Sequence, residues 1–93
     1  MNIPPITSIH NALTIYYNHS ELGNKEINAL FGQRSPTTAC RLKRIAKDEM
    51  NNRDVPSYGA NKVNTRVAYD VWGLDIEDLE NRMKKMKELG LSA

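Results

Sequence analysis

The chain has a single cysteine, Cys40, among 93 residues, which excludes an internal disulfide and makes the reducing cytoplasm the expected setting. It lacks an apolar run of membrane length and a charged-then-apolar leader, so neither a membrane partner nor secretion is expected. Five glycines and four prolines are too few for a fibrous or low-complexity chain. No internal repeat and no Gly-rich phosphate loop occurs. The residues suited to metal or nucleophilic chemistry, His10, His19 and Cys40, fall on different predicted elements without ligand spacing. The acids Asp75, Glu77, Asp78 and Glu80 crowd a predicted helix start, where carboxylates stabilise free amides, and so read as capping groups rather than a general acid/base pair. No metal, no cofactor and no enzyme activity is expected.

What the chain does contain is ordinary globular material, with 40% hydrophobic and 26% charged residues. That suits one domain spanning residues 1–93, near the size at which a single core becomes self-sufficient. The net charge of +2 is small, but its distribution is uneven. Residues 34–47 hold five cations (Arg34, Arg41, Lys43, Arg44 and Lys47) and no acid, whereas both flanking segments hold more acids than bases. A concentrated basic segment is the electrostatic footprint of a nucleic-acid binder, and also of many solvated helix faces.

Periodicity predicts five helices. In "PPITSIHNALTIYYNHS", Ile6, Ile9, Leu13 and Tyr16 form an apolar stripe after a Thr7-Ser8 start, predicting a first helix over about residues 8–18. "GNKEINALFG" predicts a short second helix with Asn24 as N-cap, an apolar face of Ile27, Leu30 and Phe31, and Gly32 as terminator. Ser35 followed by Pro36 starts a third helix that runs to about Met50. "NNRDVPSYGANKVN" reads either as a loop or as a short hairpin turning near Gly59-Ala60. A fourth helix is expected from about Thr65 to Trp72, with Val67, Ala68, Val71 and Trp72 on the core, and Gly73 ends it. The fifth starts at Asp75 and ends at Gly90, with acids in its first turn and lysines in its last, as the helix dipole favours. The expected fold is an all-α domain of about five helices.

A short helix, a Gly-containing turn and a second helix rich in Arg and Lys make the helix-turn-helix, whose second helix enters the major groove. At ~100° per residue, Ala39, Leu42, Ile45, Ala46 and Met50 share one side of the third helix, and Thr37, Cys40, Arg41, Arg44, Lys47 and Asp48 the other. Groove reading requires that segregation, because a side chain reaches a base edge only from the exposed face of an anchored helix. Arg41 and Arg44 are suited to bidentate bonds with guanine, and Thr37 to a thymine methyl or a phosphate. Cys40 is a small contact on the same face. Arg34, Lys43 and Lys47 are better suited to phosphates, and Ser35 and Thr38 complete the candidate surface at the helix start.

"NKEINALFGQRSPTTACRLKR" resembles the helix-turn-helix of small bacterial and phage regulators, excisionases and resolvase DNA-binding domains. Lys25, Glu26, Ile27, Leu30, Phe31, Gly32, Thr38, Arg41 and Leu42 carry the match. The turn is one residue longer than the usual form, and Gln33 stands where that family has an apolar residue. The resemblance implies a sequence-specific binder of double-stranded DNA, acting as a transcriptional regulator or recombination accessory factor of a bacterium, phage or mobile element. The alternative is a protein-interaction module, similar to small inhibitor proteins, that uses the same helices on an acidic protein surface. In the fifth helix, Ile76, Leu79, Met83 and Met86 recur as a seam, which either packs on the domain's own core or joins two copies as a homodimer.

Overall fold

The computed structural model describes residues 3–32, 35–59 and 61–90. Among these, five helices and one two-stranded sheet follow in the order α1 (Ile9–Asn18), β1 (Glu21–Leu22), α2 (Asn24–Phe31), α3 (Pro36–Asn52), β2 (Val63–Asn64), α4 (Thr65–Val71) and α5 (Ile76–Glu88). The fold is therefore helical apart from a small antiparallel sheet that the sequence pattern did not predict.

Short-range chemistry sets most helix ends. Ser8 Oγ accepts the Asn11 N–H at 3.0 Å, Ser35 Oγ accepts the Thr38 N–H at 3.3 Å, and Asp75 Oδ1 accepts the Glu77 N–H at 3.1 Å, each satisfying a free amide of a first turn. The expected cap of α2 is displaced by one residue. Gly23 is the N-cap, because Glu26 Oε1 reaches back to accept the Gly23 N–H at 2.8 Å, which leaves Asn24 inside the helix. At its other end Gly32 terminates the helix with φ 81° and ψ 169°, in a region open essentially only to glycine. Helix α3 runs beyond Met50 and closes with Asp54 at φ 55°. There the Val55 N–H donates to the Met50 carbonyl at 2.8 Å, and the Asp54 N–H to that of Asn51 at 3.3 Å, satisfying two carbonyls of the last turn.

Of the stretch 55–63 considered for a hairpin, the described residues before Val63 carry no strand. Ala60, at its expected turn, lies outside the described residues; Val63 does belong to a strand, but its partner is Leu22, with Glu21 opposite Asn64. Leu22 and Val63 are both fully buried, so pairing them across the domain covers apolar surface that a local hairpin would have left in water. The Thr65 hydroxyl donates to the His19 carbonyl at 2.6 Å, and its N–H to that of Ser20 at 3.0 Å, joining the end of α1 to the start of α4.

The core is built from Ile27, Leu30 and Phe31 of α2, Leu42 and Ala46 of α3, Ala68 and Tyr69 of α4, and Trp72, with Ala12, Leu22 and Val63 around them. In α4, Val67 and Ala68 are buried as expected and Val71 packs half-buried against the core, while Tyr69, outside the expected set, is buried. The Tyr69 hydroxyl donates to the Ala12 carbonyl at 2.7 Å, so the large ring is buried without orphaning its polar end. Burial raises its pKa, which keeps the hydroxyl a neutral donor. Helix α5 packs on α1. Of its expected seam, Leu79 is buried in the core, Ile76 packs half-buried against it, and Met83 and Met86 remain half-exposed. No helix among the described residues is long and apolar enough to cross a membrane.

Candidate nucleic-acid interface

Helix α3 buries Ala39, Leu42, Ala46 and Met50, none more than 6% exposed. Thr37, Cys40, Arg41, Arg44 and Lys47 are all exposed on the opposite side. Pro36, Thr37, Cys40, Arg41 and Arg44 line one shallow depression of about 420 Å³, so the candidate base-reading residues stand together in the first half of the helix.

Three groups of contacts hold α3 and its neighbour α2 in position. The Trp72 indole Nε1–H donates to the Leu42 carbonyl at 3.1 Å, in the middle of α3, while its ring meets Phe31 of α2 edge-on with centroids 5.3 Å apart. One indole thus locks both helices against α4, with its polar atom paired and its apolar body buried. At the far end of α3, Arg53 bridges Glu49 at 2.6 Å and Asp70 of α4 at 2.9 Å. Hydrogen bonding from Arg53, then from Asn52, lowers the Glu49 pKa. At the C-terminus of α2, the Thr7 N–H donates to the Leu30 carbonyl at 2.8 Å. The Thr7 hydroxyl donates to the Ala29 carbonyl at 3.0 Å and receives the Asn11 amide at 3.1 Å. Those carbonyls belong to the last turn of a short helix, which cannot satisfy them itself.

Not all expected contact residues share the open face. The Ser35 and Thr38 hydroxyls lie 3.0 Å apart in a mutual hydrogen bond, and Ser35 also caps α3, so their polar atoms are engaged within the protein. Lys43 is half-buried on the α2 side, where its Nζ donates to Asn24 Oδ1 at 3.2 Å. Arg34, with Gln33 beside it, lies outside the described residues. The sequence reading also missed Thr7 and Asn11 as supports of α2, although a Thr and an Asn at i, i+4 on a helix start are a weak signal for capping a neighbour.

Among the described residues no group of His, Cys, Asp and Glu could hold a metal ion; His10 near the start of α1, His19 at its C-cap and Cys40 in α3 are each exposed. Two larger depressions, of about 550 and 480 Å³, share Tyr16 and Arg66 and run beside α4. No protein-family model matches the chain, and no curated protein or solved structure matches it.

Proposed function

We propose that the protein binds double-stranded DNA in a sequence-specific way, with α3 in the major groove, as a regulator or recombination accessory factor of a bacterium, phage or mobile element. One observation carries this reading: the exposed side of α3 is cationic around Arg41, Arg44 and Lys47, and its other side is anchored by four buried residues and the Trp72 indole. An anchored helix fixes the backbone positions from which its exposed side chains reach out, which bidentate recognition of guanine demands. The preceding short helix α2 supports the same reading, since in a helix-turn-helix the first helix braces the second.

Selection from random duplex DNA yields the preferred site, and single variants then assign roles. Arg44→Ala and Arg41→Ala are each expected to weaken binding to that site by roughly 1–3 kcal/mol, far more than binding to unrelated duplex, and Lys47→Ala to weaken both alike. Folded arginine variants that keep the parental affinity would remove α3 as the reading helix. Selection that enriches no sequence, together with binding to an acidic protein surface, would favour the protein-interaction alternative.

A further inference from the structure

Beside the base-reading face lies a second cationic feature, assembled from three elements that are far apart in the chain. Lys25 from the start of α2, Lys43 from the flank of α3 and Lys62 from the segment before β2 line one shallow cleft of about 340 Å³, together with Asn24, Asn61 and Glu26. Among the described residues neither Lys25 nor Lys62 forms an ion pair. The carboxylates nearby are engaged with backbone amides: Glu26 accepts the Gly23 N–H at 2.8 Å, and Glu21 accepts the Tyr58 N–H at 2.8 Å.

The described residues around Lys62 are tied to one another. The Ser57 hydroxyl donates to the Lys62 carbonyl at 2.9 Å and to that of Gly59 at 3.1 Å. Asn61 turns the chain at φ 58°, and Val63, fully buried, follows at once. The aliphatic stem of Lys62 lies over Gly59, where a Cβ would come within 2.7 Å of Lys62 Cδ and 3.0 Å of Glu21 Oε1, and over Gly23, where one would lie 3.7 Å from Lys62 Cε. Two positions without side chains therefore give the stem a bed, and Lys62 lines the same cleft as Lys25 and Lys43.

Three lysines against one glutamate leave the lining of this cleft net cationic, and a polyanion that binds there releases its own counterions. We propose that Lys25, Lys43 and Lys62 form a second contact with one DNA backbone strand, flanking the groove that α3 enters, so that Lys62, just before β2, is part of the interface. The proposal rests on the reading of α3 given above, and it adds Lys25 and Lys62, which that reading does not need.

The test compares the full-length protein with Lys25→Gln/Lys62→Gln on the selected duplex, across a roughly 50–200 mM salt series. Two lost phosphate contacts should flatten the slope of log K against log salt by about 2, at ~0.9 per contact. Preference for the selected site over a scrambled one should be unchanged, and phosphate-ethylation interference on one flank should disappear. Lys25→Arg/Lys62→Arg should retain both slope and interference. A folded glutamine variant with the parental slope and interference pattern overturns the proposal and leaves α3 as reader. If instead the glutamine variant flattens the slope while Arg41→Ala and Arg44→Ala have no effect, the reading of α3 fails, and with it the claim that the cleft serves α3. A parent that binds no duplex overturns both.

Discussion

Helices α3 and α5 are both amphipathic, both lysine-bearing and both longer than the other three, yet they are anchored very differently. Helix α3 buries four residues against α2, α4 and β2, while α5 buries Leu79 and packs on α1. Two of the four on α3, Ala39 and Ala46, are small, so neighbouring elements approach its backbone closely; the larger methionines of α5 stay half in solvent. A similar apolar periodicity thus produces an enclosed helix in one place and a peripheral one in another. What decides is how many elements surround the helix, and the more enclosed of the two also carries the cationic face proposed to read DNA. Precision of side-chain presentation depends on such enclosure, because a rotation of the helix moves every contact residue at once.

The largest effect should come from removing the residue that does most to enclose α3. Trp72→Ala is expected to destabilise the fold by roughly 3–5 kcal/mol, measured by urea denaturation. It vacates a buried site and leaves the Leu42 carbonyl without its indole partner. The native emission of this single tryptophan should be that of a shielded indole, and a fully solvated spectrum would contradict burial. Next, Leu42→Ala should cost roughly 2–5 kcal/mol, whereas Met83→Ala on α5 should stay within about 0.5 kcal/mol of the parent. Comparable losses at the two positions would abolish the contrast between the helices. The α5 seam also has a bearing on assembly. Ile76 and Leu79 are engaged with the domain's own core, which leaves Met83 and Met86 as the surface through which a homodimer would form. Sedimentation of Met83→Glu beside the parent decides this, since a dimer joined there should become a monomer, and a monomeric parent should not change.

Thr7→Val should cost about 1 kcal/mol, because it strips the hydroxyl that bonds the Ala29 carbonyl while keeping side-chain volume. Its distinguishing signature is faster amide exchange in α2 than in α4. The smallest effect concerns the end of α3. Hydrogen bonding to Arg53 depresses the Glu49 pKa below its ordinary value of 4.5. A carboxylate whose folded pKa is depressed adds stability that is present above the unfolded pKa and lost as the pH falls through the folded one. Arg53→Gln should therefore move the Glu49 titration upward, seen in its side-chain carboxyl resonance, and should reduce the acid dependence of unfolding.

Legibility in the sequence followed the range of the interactions involved. Ser8, Ser35 and Asp75 were readable as caps because each bonds an amide two or three residues away, and the faces of α3 were readable because periodicity along a helix is local. The α2 cap shifted by one residue because a glutamate can reach back to a glycine N–H as well as an asparagine can cap. Tyr69 fell outside the expected core set, since a tyrosine earns its place in a core only if a partner waits, and that partner is the Ala12 carbonyl in α1. Strands of two residues carry no alternation to detect, so the pairing of Leu22 with Val63 had no local signal. Lys62 was equally silent, because its proximity to Lys25 and Lys43 depends on that pairing and on two glycines beneath its stem. Arg41, Arg44 and Lys47 were legible as an exposed set, and Lys25 and Lys62 were not.

Cys40 is exposed one helical turn from both Thr37 and Arg44, and the chain has no other thiol. The molecule therefore comes with one chemical handle in the middle of the surface proposed to meet DNA. A cleavage reagent tethered there through a thioether needs no engineered residue and has no competing attachment point. If α3 lies in the major groove, scission should cluster on the nucleotides nearest that thiol, and the stagger of cuts between the strands would report the direction in which the helix runs along its site.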